Sequence, residues 1–465
     1  MNVPLTPNVS EFLRSPVPHL IGGQSKPSVG GATARVLNPS DGSPLATVAM
    51  GGPAEIDQAV EAAGKAFPGW SATSPAERAV KLHRFAEQLE KHAPDLALLE
   101  SLDVGKAITA AEGFDIPFGI ECVRYFADLS VHAHYDVPLA LKNIEARTHS
   151  APYGVCGFVF PWNFPFTLLL WGIAPALATG NTVVVKPSEV TPLSSSFAAR
   201  LAAEAGLPDG VINVVIGDGP SAGAALAGHP KIKRMSFTGS PEVGKKIGEV
   251  CGRNLVPCKL ELGGKGAAVV FDDLDVEDTA KKLAGAITLN TGQVCCTATR
   301  WLVHEKIYDE LVDRAVAALK ETKIGAGTDR ETQMGPLVSE TQRRRVLNLL
   351  EDGIRQGAEV ILPGGNAVPR GGENGFYVQP SLLAGSPENV CCRKEIFGPS
   401  AFLLKFKEES DAIDLVNRLD YGLANSVWSS DLKRAARVAE KMVAGNSWIN
   451  AQTCLPTVCL TAAST

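Results

Sequence analysis

The stretch "GNTVVVKPSE" (residues 180–189) reads as a β-strand whose carboxyl end carries a lysine and a glutamate. Downstream, "SSSFAARLAAEAG" (194–206) has helical spacing and "GVINVVIG" (210–217) is again strand-like. "PSAGAALAGH" (220–229) reads as a helix, "IKRMSFTGS" (232–240) as a strand, and "PEVGKKIGEVCG" (241–252) as the helix that follows. Strands rich in Val and Ile that alternate with helices predict an α/β fold with a doubly wound parallel sheet.

Working outward, residues 1–50 are rich in Pro and Gly and suggest an extended arm with short strands. Helical periodicity starts at Pro53 and covers "PAEIDQAVEAAGKAFPGW" and then "SPAERAVKLHRFAEQLEKHAPDLALLESLDVGK", with Ser74 as N-cap before Pro75. A third helix is expected to about Ala127, and "YDVPLALKNIEARTHSAPYGVCGFV" (135–159) alternates like an antiparallel ribbon. A second alternating set runs from about Val269 to Trp448, so the chain divides into more than one domain, as 465 residues would suggest.

Bulk properties exclude several function classes. A net charge of −6 argues against a nucleic-acid or anionic-membrane partner, because both demand a basic face. The longest apolar run, "FPFTLLLWGIAPALATG" (164–180), is interrupted by Pro and Gly and is not expected to span a bilayer. "MNVPLTPNVSEFLRS" lacks the basic and apolar regions of a signal peptide. The ten cysteines form no C-x-x-C, which disfavours a disulfide scaffold or a zinc ribbon, and no metal site is read. A reducing cytoplasm fits these features best.

Two stretches could hold a nucleotide. "SFTGSPEVG" puts Gly239 and Ser240 at a strand-to-helix junction with Gly244 one turn on. Unpaired N–H groups at a helix start suit a pyrophosphate, although such a turn can equally be only a turn. Lys186 and Glu189 lie at a strand's carboxyl end, where open α/β sheets bind ligands; Glu189 could hold ribose hydroxyls and repel a 2′-phosphate. A plain surface ion pair is the other reading.

"LNTGQVCCTATR" (289–300) raises the question of chemistry, because Cys295 and Cys296 are adjacent. A thiolate attacks carbonyl carbon, yet buried cysteines are mostly inert packing, and the second pair, Cys391–Cys392, shows that adjacency alone proves nothing. "LELGGKG" offers Glu261 before a Gly-Gly, and "PWNFP" holds Asn163 on a proline-stiffened loop suited to an oxyanion donor. Each of these residues also has an ordinary structural reading.

Taken in order, "PWNFP", "GNTVVVKPSE", "FTGSPEVG", "LELGGK", "GQVCC", "EIFGP", "YGLANSVWSSD" and "WIN" resemble the NAD(P)-dependent aldehyde dehydrogenase superfamily over roughly residues 18–450. The resemblance implies oxidation of a small-molecule aldehyde to its acid, with NAD as cofactor, Cys295 as nucleophile, Glu261 as general base and Asn163 as oxyanion donor. It implies cofactor contacts at Trp162, Lys186, Glu189, Gly239, Ser240 and Gly244, with Glu395 and Phe397 at the nicotinamide ribose. It further implies an NAD-binding domain (1–128 and 152–263), a catalytic domain (264–448), an oligomerisation ribbon (129–151 and 449–465) and a homodimer or homotetramer. Two departures stand out: Gly172 replaces a lysine found in many relatives, and "NAQTCLPTVCLTAAST" replaces a Gly-rich segment. The second leads to the expectation of a truncated or frame-shifted chain with an incomplete ribbon, and to the alternative of a non-catalytic NAD-binding remnant.

Overall fold

The computed structural model describes residues 4–452. Two seven-stranded sheets organise it. In the first, the spatial order is Cys258–Glu261, Arg234–Thr238, Val155–Val159, Thr182–Lys186, Ile212–Val214, His19–Ile21 and Gln24–Lys26. The first five run parallel, and the last two add an antiparallel edge through the pairing of Leu20 with Val214. The three valines explain why this sheet is the centre of its unit. Val183 and Val185 point into one apolar core and Val184 into the other, and all three are fully buried. Helices Pro75–Lys91, Ile116–His132, Pro165–Ala178 and Leu193–Glu204 cover one face, while Pro53–Ala72 and Pro241–Arg253 cover the other.

The second sheet has the order Glu359–Leu362, Ser381–Ala384, Ser400–Phe406, Ala298–His304, Gly266–Val270, Ala424–Trp428 and Asn446–Ile449. It is parallel except for its first strand. Here too successive residues serve opposite cores, Ala267 and Val269 on one face, Ala268 and Val270 on the other. The doubly wound α/β expectation therefore holds for both halves of the chain.

Several local expectations are corrected. The long helical stretch after Ser74 is two helices, Pro75–Lys91 and Ala93–Val104, parted at His92. The expected ribbon is shorter: Asp136–Leu141 pairs with Ile144–His149, whereas Val155–Val159 is a buried strand of the first sheet. Gly154, at φ +123°, makes the break between them. The arm at 1–50 is not merely extended, since it contains helix Pro7–Phe12 and the two edge strands. "PSAGAALAGH" forms only a wide turn, Gly219–Gly223, and the short helix Ala224–Gly228.

Strand direction places the site. Trp162, Lys186, Gly239 and Glu261 all lie at or just beyond the carboxyl ends of parallel strands of the first sheet. Cys295 and Glu395 precede the amino ends of strands Ala298–His304 and Ser400–Phe406 in the second. The two units also meet through glycine. A Cβ on Gly335 would overlap the carbonyl oxygen of Gly105, and one on Gly327 would overlap that of Lys106. Ile108 N–H donates to the Gly327 carbonyl at 2.7 Å across the same seam. Gly335→Ala should therefore destabilise the protein by about 1–3 kcal/mol, the usual cost of overpacking. A thermal melt unchanged by this substitution would contradict the seam.

Candidate active site

Residues 289–293 build the floor of the site. Leu289–Gly292 is a tight turn in which Asn290, Thr291 and Gly292 all take positive φ, at 47°, 57° and 70°. A β-branched residue in that region is strained, so the turn must be held by its surroundings. Thr291 Oγ1 donates to the Gly335 carbonyl at 2.9 Å, and Gln293 Nε2 donates to the Asn290 carbonyl at 3.0 Å. Val338 N–H donates to Gln293 Oε1 at 3.0 Å.

This turn grips the Trp-Asn-Phe-Pro loop. Asn163 is buried; its Nδ2 donates to the Gln293 carbonyl at 3.0 Å, while Asn290 Nδ2 donates to the Asn163 carbonyl at 2.9 Å. One amide proton of Asn163 is thereby engaged and the second is available. Thr191 Oγ1 donates to the Trp162 carbonyl at 3.0 Å. At Gly172, Phe160 occupies the space a side chain would need, its ring only 2.5 Å from an added Cβ.

The two adjacent cysteines differ in environment. Cys295 is half-buried, whereas Cys296 is buried with Val294 and Ala424 in a small apolar cluster against Phe164, Leu423 and Trp448. Cys391 and Cys392 are wholly core residues. The hydrogen bond to Cys296, burial, and the charges of Cys296, Glu395 and Glu261 together raise the Cys295 thiol well above its ordinary range. Glu261 pairs with Lys259 at 3.0 Å, and its carbonyl accepts from Gly239 N–H at 3.0 Å. The two glycines that follow have steric reasons: a Cβ on Gly263 would overlap the Glu395 carboxylate, and one on Gly264 the Cys295 carbonyl.

The residues expected to contact a nucleotide lie beside these loops. Lys186 is buried, and its ammonium donates to the carbonyls of Pro187 and Gly217 at 2.8 and 2.6 Å and to Glu189 Oε2 at 3.1 Å. Burial lowers its pKa despite the nearby carboxylates. A purely surface Lys-Glu pair is thus excluded, since the lysine is buried and the glutamate half-buried. Ser240 caps helix Pro241–Arg253, its hydroxyl accepting from Val243 N–H at 3.3 Å. Gly239 lies 2.6 Å (for an added Cβ) from the Phe237 ring, and a Cβ at Gly244 would overlap Leu262, so Gly244 lets its helix pack against the segment that leaves strand Cys258–Glu261.

Glu395 accepts from Gly264 N–H at 3.0 Å, and burial raises its pKa. Phe397, at φ +59°, meets Trp162 edge-to-face with ring centroids 5.2 Å apart. Helix Glu340–Arg355 fixes this segment, a contact that sequence reading missed. Gln342 Nε2 donates to the Phe397 carbonyl at 2.7 Å, and Arg345 donates to the carbonyls of Ile396 and Glu395 at 2.6 and 2.8 Å. Their i, i+3 spacing puts both on one helix face, but nothing local names their partners. A cleft of about 810 Å³ lined by Ser240, Arg344, Arg345, Glu395 and Tyr421 opens here. Of the residues read for the cofactor, Ser240 and Glu395 line this cleft.

A sequence model described as the aldehyde dehydrogenase family matches residues 27–459. The mitochondrial aldehyde dehydrogenase of Leishmania tarentolae is 39% identical, covering 93% of this chain and 86% of the relative. The phenylacetaldehyde dehydrogenase of Pseudomonas fluorescens is 38% identical, with coverage of 94% and 89%. The NAD+ complex of an aldehyde dehydrogenase from Bacillus cereus superposes with a TM-score of 0.95 at 38% identity, covering 98% of this chain and 92% of that one. The expected departure after Trp448 falls largely on residues 453–465, outside the described residues. The family match runs on to residue 459, and the comparisons give no support to a truncated or frame-shifted chain. With two doubly wound sheets meeting at these loops and matches along nearly the whole sequence, the chain belongs to the aldehyde dehydrogenase family.

Proposed function

We propose that this chain oxidises an aldehyde to the carboxylic acid through covalent attachment to Cys295. What supports the reading is a half-buried Cys295 whose loop, through the Gln293 carbonyl, holds the Asn163 amide, and whose thiol feels the charge of Glu261. The Cys295 sulfur adds to the aldehyde carbon, and the developing oxyanion is met by the free Asn163 amide proton and the Cys295 backbone N–H. Glu261 is the carboxylate that takes the thiol proton and later activates water, which cleaves the thioester. NAD, when bound, supplies the hydride acceptor.

Lys186 and Glu189 would hold the adenosine ribose, the helix start at Gly239–Ser240 the pyrophosphate, and Glu395 and Phe397 the nicotinamide ribose beside Trp162. Lys186 is held ready by two carbonyls, and the half-buried Glu189 carboxylate favours NAD over NADP by repelling a 2′-phosphate. The first sheet, with residues 1–128 and 152–263, would be the NAD-binding domain and residues 264–448 the catalytic domain. The exposed hairpin Asp136–His149, with Val137, Leu139, Leu141 and Ile144 outward, would mediate a homodimer or homotetramer. Among the described residues no helix is long and apolar enough to cross a membrane, and eight cysteines are free thiols, which suits a reducing cytoplasm.

Cys295→Ala should abolish NADH formation from an aldehyde panel while NAD binding, followed by calorimetry, persists; Cys296→Ala should keep most activity. Full turnover by the first variant and loss in the second would reverse the assignment. Because Glu395 contributes to raising the Cys295 pKa, Glu395→Gln should lower it and enlarge the thiolate fraction. Alkylation of Cys295 by iodoacetamide at pH 8 should then speed up several-fold, since each pKa unit is worth about tenfold in thiolate. Slower alkylation would show that the carboxylate does not act on the sulfur.

A further inference from the structure

Behind the Trp-Asn-Phe-Pro loop lies a buried charged group that the mechanism above does not use. It begins in "ESLDVGK" (100–106), the end of helix Ala93–Val104 and the turn after it. Residues 95–104 are all buried, so this helix presents its polar side chains to the interior. Gly105, at φ +86°, ends the helix and turns Lys106 back onto it.

Lys106 is 2% exposed. Its ammonium donates to Asp115 Oδ1 at 2.6 Å, pairs with Glu100 Oε2 at 3.1 Å, and stands 4.2 Å from the centroid of the Phe164 ring. Burial alone would lower the pKa of this lysine, but Asp115 and Glu100 outweigh it and keep the ammonium charged. Glu100 Oε1 meanwhile accepts from Phe166 N–H at 2.7 Å and from Ser194 Oγ at 2.8 Å. Ser195 Oγ donates to the Pro165 carbonyl at 3.0 Å. Residues 164, 165 and 166 are thus each held from the helix side, directly after Asn163.

We propose that Lys106 is a positioning residue for the reaction: through the face of Phe164, and through Glu100 at Phe166, it sets where the Asn163 amide stands relative to Cys295. The inference rests on the reading of Asn163 as oxyanion donor. A cation over an aromatic face is a directional attraction that strengthens where water is excluded, and here it adds to the hydrogen bonds that hold residues 165 and 166. The reacting geometry is sensitive on that scale, since displacement by about 1 Å costs on the order of 100-fold in rate.

The test separates positioning from mere stability. Phenylalanine analogues with one, two and three ring fluorines at position 164 weaken the ring's negative face while keeping its shape. The kcat of NAD-linked aldehyde oxidation and of cofactor-free ester hydrolysis should fall together, stepwise, by about threefold or more over the series, with KM for NAD unchanged. In Lys106→Met/Asp115→Asn, which removes one charge of each sign but leaves Glu100 buried without its cation, kcat should drop about tenfold or more. The fluorine series should be flat in that background. A kcat independent of fluorination in the parent overturns the proposal, whether or not the double variant folds. Asn163→Ala is measured alongside: if it leaves kcat intact, the oxyanion reading itself fails and takes this inference with it. A large Asn163→Ala effect with a flat fluorine series removes the role of Lys106 alone.

Discussion

The reciprocal bonds between Asn163 and the turn at 290–293 are the constraint on which the rest depends. They join residues 127 and 130 positions apart, one segment from each sheet. Other contacts also join the two units, among them Ile108 N–H to the Gly327 carbonyl, but that bond does not tie the Asn163 loop to the cysteine loop. Through the reciprocal bonds, the asparagine amide and the cysteine loop are fixed to each other. The strained run Asn290–Gly292 is part of this arrangement, because a backbone in the left-handed region persists only where its surroundings over-determine it. Here the surroundings are Gly335, Val338 and Asn163 itself, so the strain is distributed over contacts that also close the seam.

Electrostatics sort the chemistry on the two sides of that seam. Among the residues proposed to meet the nucleotide, Lys186 is buried between two carbonyl oxygens and the Glu189 carboxylate, which together orient its ammonium. On the sulfur side, the hydrogen bond to Cys296 and burial, with smaller contributions from the Glu395 and Glu261 carboxylates, raise the Cys295 thiol above its ordinary range. Cys296 is shifted the other way, its pKa lowered by the hydrogen bond with Cys295, but it is enclosed by Val294, Ala424 and Phe164. Adjacency in sequence therefore conceals a difference that only enclosure reveals.

What could be read from the sequence was what is local. The valine run at 183–185 declares a strand buried on both faces, and the residues at its end fall where parallel sheets bind ligands. Alternation failed at 135–159, because five consecutive buried residues of a parallel strand follow directly on an exposed hairpin and the two patterns run together. The split at His92 was hidden by continuous helical spacing on both sides of it. Lys106, Gln342 and Arg345 carried no signal at all. Their partners at Phe164, Phe397, Ile396 and Glu395 are reached only through the tertiary fold.

The glycines at 263 and 264 show why the site sits where it does. The chain passes from the first sheet to the second between Glu261 and Gly266, and it does so through the gap between Glu395 and Cys295. A side chain at either glycine would push one of those residues away, so the crossing is possible only for bare backbone. Gly264 N–H then becomes the donor that fixes the Glu395 carboxylate, at 3.0 Å. The crossing strand is therefore both the covalent link between the units and the spacer that sets Glu261, Cys295 and Glu395 against one another. Covalent connection and chemical site are one feature of this fold, which is why the carboxyl ends of one sheet must meet the amino ends of the other at this seam.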